Sequence, residues 1–141
     1  MSKKIKSLTI FSDGGSRGNP GPAGIGAVLY DEEGKAVSQV SKYIGIATNN
    51  EAEYLAAIYG FLEAVHMKAH KVVINLDSQL VARQLKGEYK VKDRDLKKFF
   101  DLALNILKEF DTVEIREIPR EGNKEADRLV NKAINLEGPL V

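Results

Sequence analysis

Of the 20 acidic residues in the chain, four hold positions that local structure explains least: Asp13, Glu53, Asp77 and Asp127. Asp13 follows the strand-like run Leu8 to Ser12, and a carboxylate at the end of a buried strand costs stability unless its charge is compensated. A bound cation is one such compensation. Glu51 has a structural reason, because Thr48-Asn49-Asn50-Glu51 fits a capping box. Glu53 has none of that kind, although a favourable charge near a helix N-terminus is the alternative. Asp77 ends the run VVINL, where it can cap the following helix, but Ser78 can take that task and leave Asp77 partly free. Asp127 comes a turn too late to be an N-cap, which Asn123 can supply. It shares a face with Val130 and Ile134, so it is either paired with a base or bound to metal.

Together the four acids point to metal chemistry. Asp13 and Asp77 both end apolar strands, and ligands collect at strand carboxyl ends in open sheets. Oxygen ligands without cysteine suit Mg²⁺ or Mn²⁺ rather than zinc. His66 and His70, at the end of a helix and in the next turn, are read as surface or packing residues. The glycines after Asp13 could cradle a phosphate, but no Gly-Lys-Ser/Thr opens a helix there. A strand follows instead.

Residues 8–12, 24–30 and 35–44 read as three strands of an antiparallel meander, with Asp13 at a loop mouth and a turn over residues 31–34. Leu55, Ile58, Leu62 and Val65 recur at helical spacing, which predicts a helix over residues 49–67. Residues 72–76 form a continuous apolar run, as expected of a strand buried on both faces. A short helix over residues 78–85 stops at Gly87. The next, over residues 94–110, carries the stripe Leu96, Phe99, Phe100, Ala103, Leu104 and Leu107, so its phenylalanines read as core. A fifth strand over residues 112–118 and a last helix over residues 123–134 complete the order βββαβααβα. That order predicts an α/β fold, a mixed five-stranded sheet with helices on both faces.

The 141 residues suit a single domain, with residues 1–7 and 135–141 expected to be flexible termini. Apolar content of 43% and charged content of 29% are those of a soluble globular protein. The absence of cysteine excludes disulfides and thiolate sites. No run is long enough to span a membrane, and MSKKIKSL lacks the apolar core of a secretory signal, so a cytoplasmic protein is expected. The net charge of +1 conceals six basic residues from Lys86 to Lys98 against three acidic ones. That excess suits phosphate binding, or a solvated helix face.

The pieces FSDGGSRGNPGPAG, TNNEAEYLA, LDSQLV and GNKEADRLV, in this order, resemble the type 1 ribonuclease H family over nearly the whole chain. The resemblance implies a ribonuclease H-like fold and places the family's four carboxylates on Asp13, Glu53, Asp77 and Asp127. It implies two divalent ions, Mg²⁺ with Mn²⁺ as a substitute, bridging the scissile phosphate of RNA paired with DNA. One would activate water, and the other would stabilise the leaving 3′ oxygen. The implied activity is an endoribonuclease that leaves 5′-phosphate and 3′-hydroxyl ends. Asn19, Thr48, Asn49, Asn50 and Gln79 match family positions that contact the hybrid, where short amides and hydroxyls read 2′-hydroxyls without demanding a base sequence. Asn19 is otherwise a turn residue before Pro20, and Thr48 can both cap its helix and bind phosphate.

Two departures accompany the resemblance. Many relatives carry a histidine in the loop before the last acid, and IPREGNKEAD has none. Arg120 is the candidate replacement and Glu121 the weaker one, with a salt-bridged surface arginine as the alternative. The long basic protrusion of some relatives is reduced to GEYKVKDR, so the chain resembles the compact form, with salt-dependent affinity for its hybrid. The expected partner is an RNA/DNA hybrid, with double-stranded RNA a second candidate, no membrane, and a monomeric protein. Rival readings are a resolvase or exonuclease of the same broad fold and a catalytically silent hybrid-binding module. A sugar-kinase-like ATPase would need a second domain.

Overall fold

The computed structural model describes residues 7–139. Its sheet contains β1 (Ser7–Ser16), β2 (Gly21–Tyr30), β3 (Ala36–Ala47), β4 (Lys71–Leu76) and β5 (Thr112–Glu117), in the spatial order β3-β2-β1-β4-β5. The first three strands pair antiparallel, whereas β4 lies parallel to both β1 and β5. The helices are α1 (Asn49–His66), α2 (Gln79–Leu85), α3 (Arg94–Leu107) and α4 (Lys124–Glu137). The expected order βββαβααβα is therefore present, with one short 3-10 turn, Arg120–Asn123, added before α4.

Helices cover both faces because the strand alternation splits the sheet into two apolar surfaces. Ile10, Leu29 and Ile74 point with Tyr54 and Phe61 of α1 into the main core, which Leu96 of α3 also joins. On the opposite face α4 lies across β2, where Gly24 and Gly26 leave its backbone room to approach. The helix ends follow local chemistry. Thr48 and Glu51 form the complete capping box of α1, and Ser78 caps α2 through the Val81 N–H. Asp93 caps α3 by accepting from the Asp95 and Leu96 N–H groups.

Three expectations are corrected. β1 does not end at Ser12, because antiparallel pairing with β2 continues from Asp13 opposite Gly26 to Ser16 opposite Ala23. Asp13 therefore lies within a strand rather than at a loop mouth. Asn123 occupies the N-cap position of α4 but makes no side-chain cap bond, since its amide turns inward. Leu104 is exposed, because one residue beyond Ala103 it has rotated about 100° off the buried face of α3. Of the termini expected to be flexible, residues 1–6 and 140–141 lie outside the described residues. Ser7 pairs with Lys71, and residues 135–137 continue α4. Among the described residues no helix is long and apolar enough to cross a membrane.

Candidate active site

The parallel ladder between β1 and β4 ends at the pair Ser12 and Leu76. The next residues on the two strands are Asp13 and Asp77, so the register alone brings two carboxylates to one place. Glu53 arrives from the α1 side. A Cβ on Gly14 would overlap the Ala52 carbonyl, so only glycine lets the first turn of α1 lie against β1 there. Gly14 N–H then donates to Glu53 Oε1 at 3.3 Å. Carboxylate oxygens of Asp13, Glu53 and Asp77 all fall within 4.8 Å of one another.

The fourth acid approaches from the other face. A Cβ on Gly26 would overlap the carbonyl of Ala126, so α4 packs directly on the residue paired with Asp13. This places Asp127 beside Asp13, exposed at the cleft mouth and outside the tight group of three. Asn131, one turn on, donates to Asp127 Oδ2 at 3.4 Å and accepts from Arg17 at the same distance. Neither Asn131 nor Arg17 was expected at the site. The i+4 spacing of Asn131 from Asp127 was the available signal.

Burial makes this cluster electrostatically costly. Desolvation, with the nearby Asp77 and Asp127 charges, pushes the Asp13 carboxyl up to about 7, although its hydrogen bond with Glu53 partly opposes the rise. Glu53 lies well above the usual carboxylate range, first through burial and then through its contact with Asp13. Its Oε2 is buried and has no hydrogen-bond partner among the described residues. A divalent cation at this position would satisfy that oxygen and offset the repulsion. Asn123, 1% exposed, donates from its Nδ2 to both Ser12 O at 2.8 Å and Asp77 Oδ2 at 3.0 Å.

The cleft around these acids has a volume of about 360 Å³, and Asn49, Asn50 and Arg120 line it. Arg120 opens the 3-10 turn and makes no ion pair among the described residues, and Glu121 lies outside the cleft lining. Asn19, Thr48 and Asn50 line an adjoining hollow. Asn19 Oδ1 accepts from Asn49 N–H at 3.0 Å, and Asn49 Oδ1 accepts from Ser16 N–H at 2.8 Å. Gln79 stands exposed at the start of α2, one residue past the cleft-lining Ser78. In the basic stretch, Lys97 pairs with Asp101 at 2.6 Å, whereas Lys86 and Lys98 reach acids only at 4.0 Å. His70 pairs with Asp111 at 2.8 Å, next to the start of β4 and so at the other end of that strand from Asp77.

A family model described as "Reverse transcriptase-like" matches residues 11–133, a span containing all four acids. The crystal structure of RNase H1 from the halophilic archaeon Halobacterium salinarum NRC-1 superposes with a TM-score of 0.89 at 40% identity, over 92% of this chain and 98% of that one. This chain belongs to the type 1 ribonuclease H family. A second ribonuclease H structure, LC11-RNase H1 in complex with an RNA/DNA hybrid, gives a TM-score of 0.85 at 44% identity, covering 91% of this chain and 96% of that one. The Mycobacterium tuberculosis "Bifunctional protein Rv2228c" is 43% identical over 129 residues, 91% of this chain but 35% of that protein. The chain thus spans about a third of the length of its mycobacterial relatives. It has the compact ribonuclease H form, in which residues 86–93 alone join α2 to α3.

Proposed function

We propose that this chain is an endoribonuclease that hydrolyses the RNA strand of RNA/DNA hybrids and leaves 5′-phosphate and 3′-hydroxyl ends. The observation that carries this reading is the convergence of Asp13, Glu53 and Asp77 within 4.8 Å, with Asp127 beside them at the mouth of a cleft. The donor set fits a hard divalent cation. It contains only carboxylate oxygens, and the buried Glu53 Oε2 has no hydrogen-bond partner among the described residues. When bound, two Mg²⁺ ions, or Mn²⁺ in their place, would supply an activated water and neutralise charge on the phosphoryl group.

The four acids would hold these ions, with Asp127 at the exposed side where substrate enters. Arg120 would present its guanidinium to a phosphate of the cleaved strand, a planar donor fork that takes the place of the loop histidine. Asn19 and Asn49 have their amide oxygens committed within the protein, so their NH₂ groups remain as donors. Donors facing outward suit phosphate oxygens and ribose 2′-hydroxyls, and they carry no base preference. Thr48, Asn50 and Gln79 complete the proposed substrate contacts. The chain is read as a monomer that works in the cytoplasm, with Lys90, Lys92 and Arg94 available to the hybrid backbone.

A cleavage panel tests this reading. Labelled RNA/DNA, RNA/RNA and DNA/DNA duplexes are incubated with Mg²⁺, Mn²⁺ or chelator. RNA/DNA cut on its RNA strand in either metal, and not in chelator, is expected. Cleavage of duplex DNA would point to a resolvase or exonuclease, and hybrid binding without cleavage to a silent module.

A further inference from the structure

We infer that Asn123 is a positioning residue that sets the arrangement of the metal-site carboxylates, an inference that rests on the reading of those acids as a cation site. The side chain occupies the N-cap position of α4, where an asparagine ordinarily caps. Here it forgoes the cap and is almost wholly buried. Ser12 O is a carbonyl that can only accept, so the group facing it at 2.8 Å is the amide NH₂. The second hydrogen of the same nitrogen then reaches Asp77 Oδ2 at 3.0 Å.

One amide therefore bridges three elements that each carry an acid. Ser12 adjoins Asp13 on β1, Asp77 follows β4, and Asn123 itself starts the turn of α4 that carries Asp127. The bond engages one oxygen of Asp77, a residue that lines the cleft. Asn123 Oδ1 is buried with no hydrogen-bond partner among the described residues, so orienting these two donors outweighs full satisfaction of the amide. Groups that orient metal ligands from behind typically contribute 10- to 100-fold to metal affinity or activity.

The test uses Asn123→Ala, which deletes both bonds, and Asn123→Leu, which deletes them but keeps the volume filled. Folding is checked by circular dichroism, Mg²⁺ affinity by calorimetry on the metal-free proteins, and kcat and KM on a hybrid. Both variants are expected to fold, to bind Mg²⁺ about 10- to 100-fold more weakly, and to lose kcat with KM within twofold of the parent. Mg²⁺ affinity and kcat within twofold of the parent in either folded variant would overturn the inference, whatever stability is lost. So would failure of both variants to fold, because Asn123 would then be a structural residue. A parent chain that binds Mg²⁺ yet cuts no hybrid would overturn the proposed function while the calorimetry still decides the role of Asn123. A parent that binds no Mg²⁺ overturns both.

Discussion

Asp13 and Asp77 each stand one residue beyond the last pair of the parallel β1–β4 ladder, Ser12 with Leu76. The same sheet register that aligns Ile10 with Ile74 in the core thus sets the spacing of two acids in the cleft. A slip of one residue would turn one of them to the opposite face. Core packing and site geometry are therefore one constraint, and α1 and α4 add Glu53 and Asp127 from opposite sides of the sheet.

Mutual repulsion among these acids makes Asp77→Asn informative. The substitution should abolish cleavage yet leave the metal-free protein as stable or more stable, by up to about 1 kcal/mol, because one repelling charge is gone. Asparagine keeps an oxygen that can accept from Asn123. Chemical denaturation in chelator measures the stability, and a clear loss would make Asp77 mainly structural.

The Asp13 carboxyl, raised from 3.8 to about 7, sets the sign of the pH dependence. Between these values the unfolded chain has released this proton while the folded chain holds it. Folding therefore takes up protons, and stability falls as pH rises through that window. The metal-free protein should lose about 1–4 kcal/mol between pH 4 and 7 from this group, a trend that Asp13→Asn should flatten. Unfolding in urea across pH, compared between the two proteins, checks it.

Metal should reverse that cost. Mg²⁺ at about 100 times its dissociation constant adds about 2.7 kcal/mol through binding to the folded state alone, which raises Tm by several degrees. Chelator should remove the rise, and Asp13→Asn should greatly reduce it. Thermal unfolding with and without Mg²⁺ provides the comparison.

Neighbouring glycines should behave oppositely. Gly14→Ala forces a methyl into the Ala52 carbonyl and should cost roughly 1–3 kcal/mol or more. Gly15→Ala meets only Val130 Cγ1, at 3.8 Å, and should be tolerated. Denaturant midpoints of the two variants decide whether close approach of α1 is what Gly14 provides.

Arg120→Ala should lower kcat about 10- to 100-fold with little change in stability, since the side chain is exposed and makes no ion pair among the described residues. Arg120→Lys should recover part of the loss, because it restores the charge without the planar fork. Equal activity in all three proteins would remove Arg120 from the site.

Much of this architecture was legible because strand runs, helical periods and caps are local signals. Thr48 and Glu51 formed a recognisable box, which separated Glu51 from Glu53 two residues later. Ser78 likewise released Asp77 from capping. Asn123 was misread for a physical reason: the same amide suits a cap or a buried donor, and only the fold shows Ser12 O within its reach. The glycines were illegible in the same way. Gly14 and Gly26 are needed because other backbones lie against them, and those backbones come from residues 52 and 126. The extension of β1 past Ser12 depended on pairing with β2, and the Gly-rich composition of the segment after Ser12 disguised it as loop.

The role proposed for the acid cluster is metal-dependent hydrolysis of RNA in hybrids. It is tested most directly by mapping product ends from an end-labelled RNA/DNA hybrid in Mg²⁺, with the parent chain and with Asp77→Asn. Internal cuts on the RNA strand, 5′-phosphate and 3′-hydroxyl ends, and no cutting by Asp77→Asn or by the parent in chelator are expected. Cleavage that persists in Asp77→Asn or in chelator, or that leaves 2′,3′-cyclic phosphate ends, would contradict it.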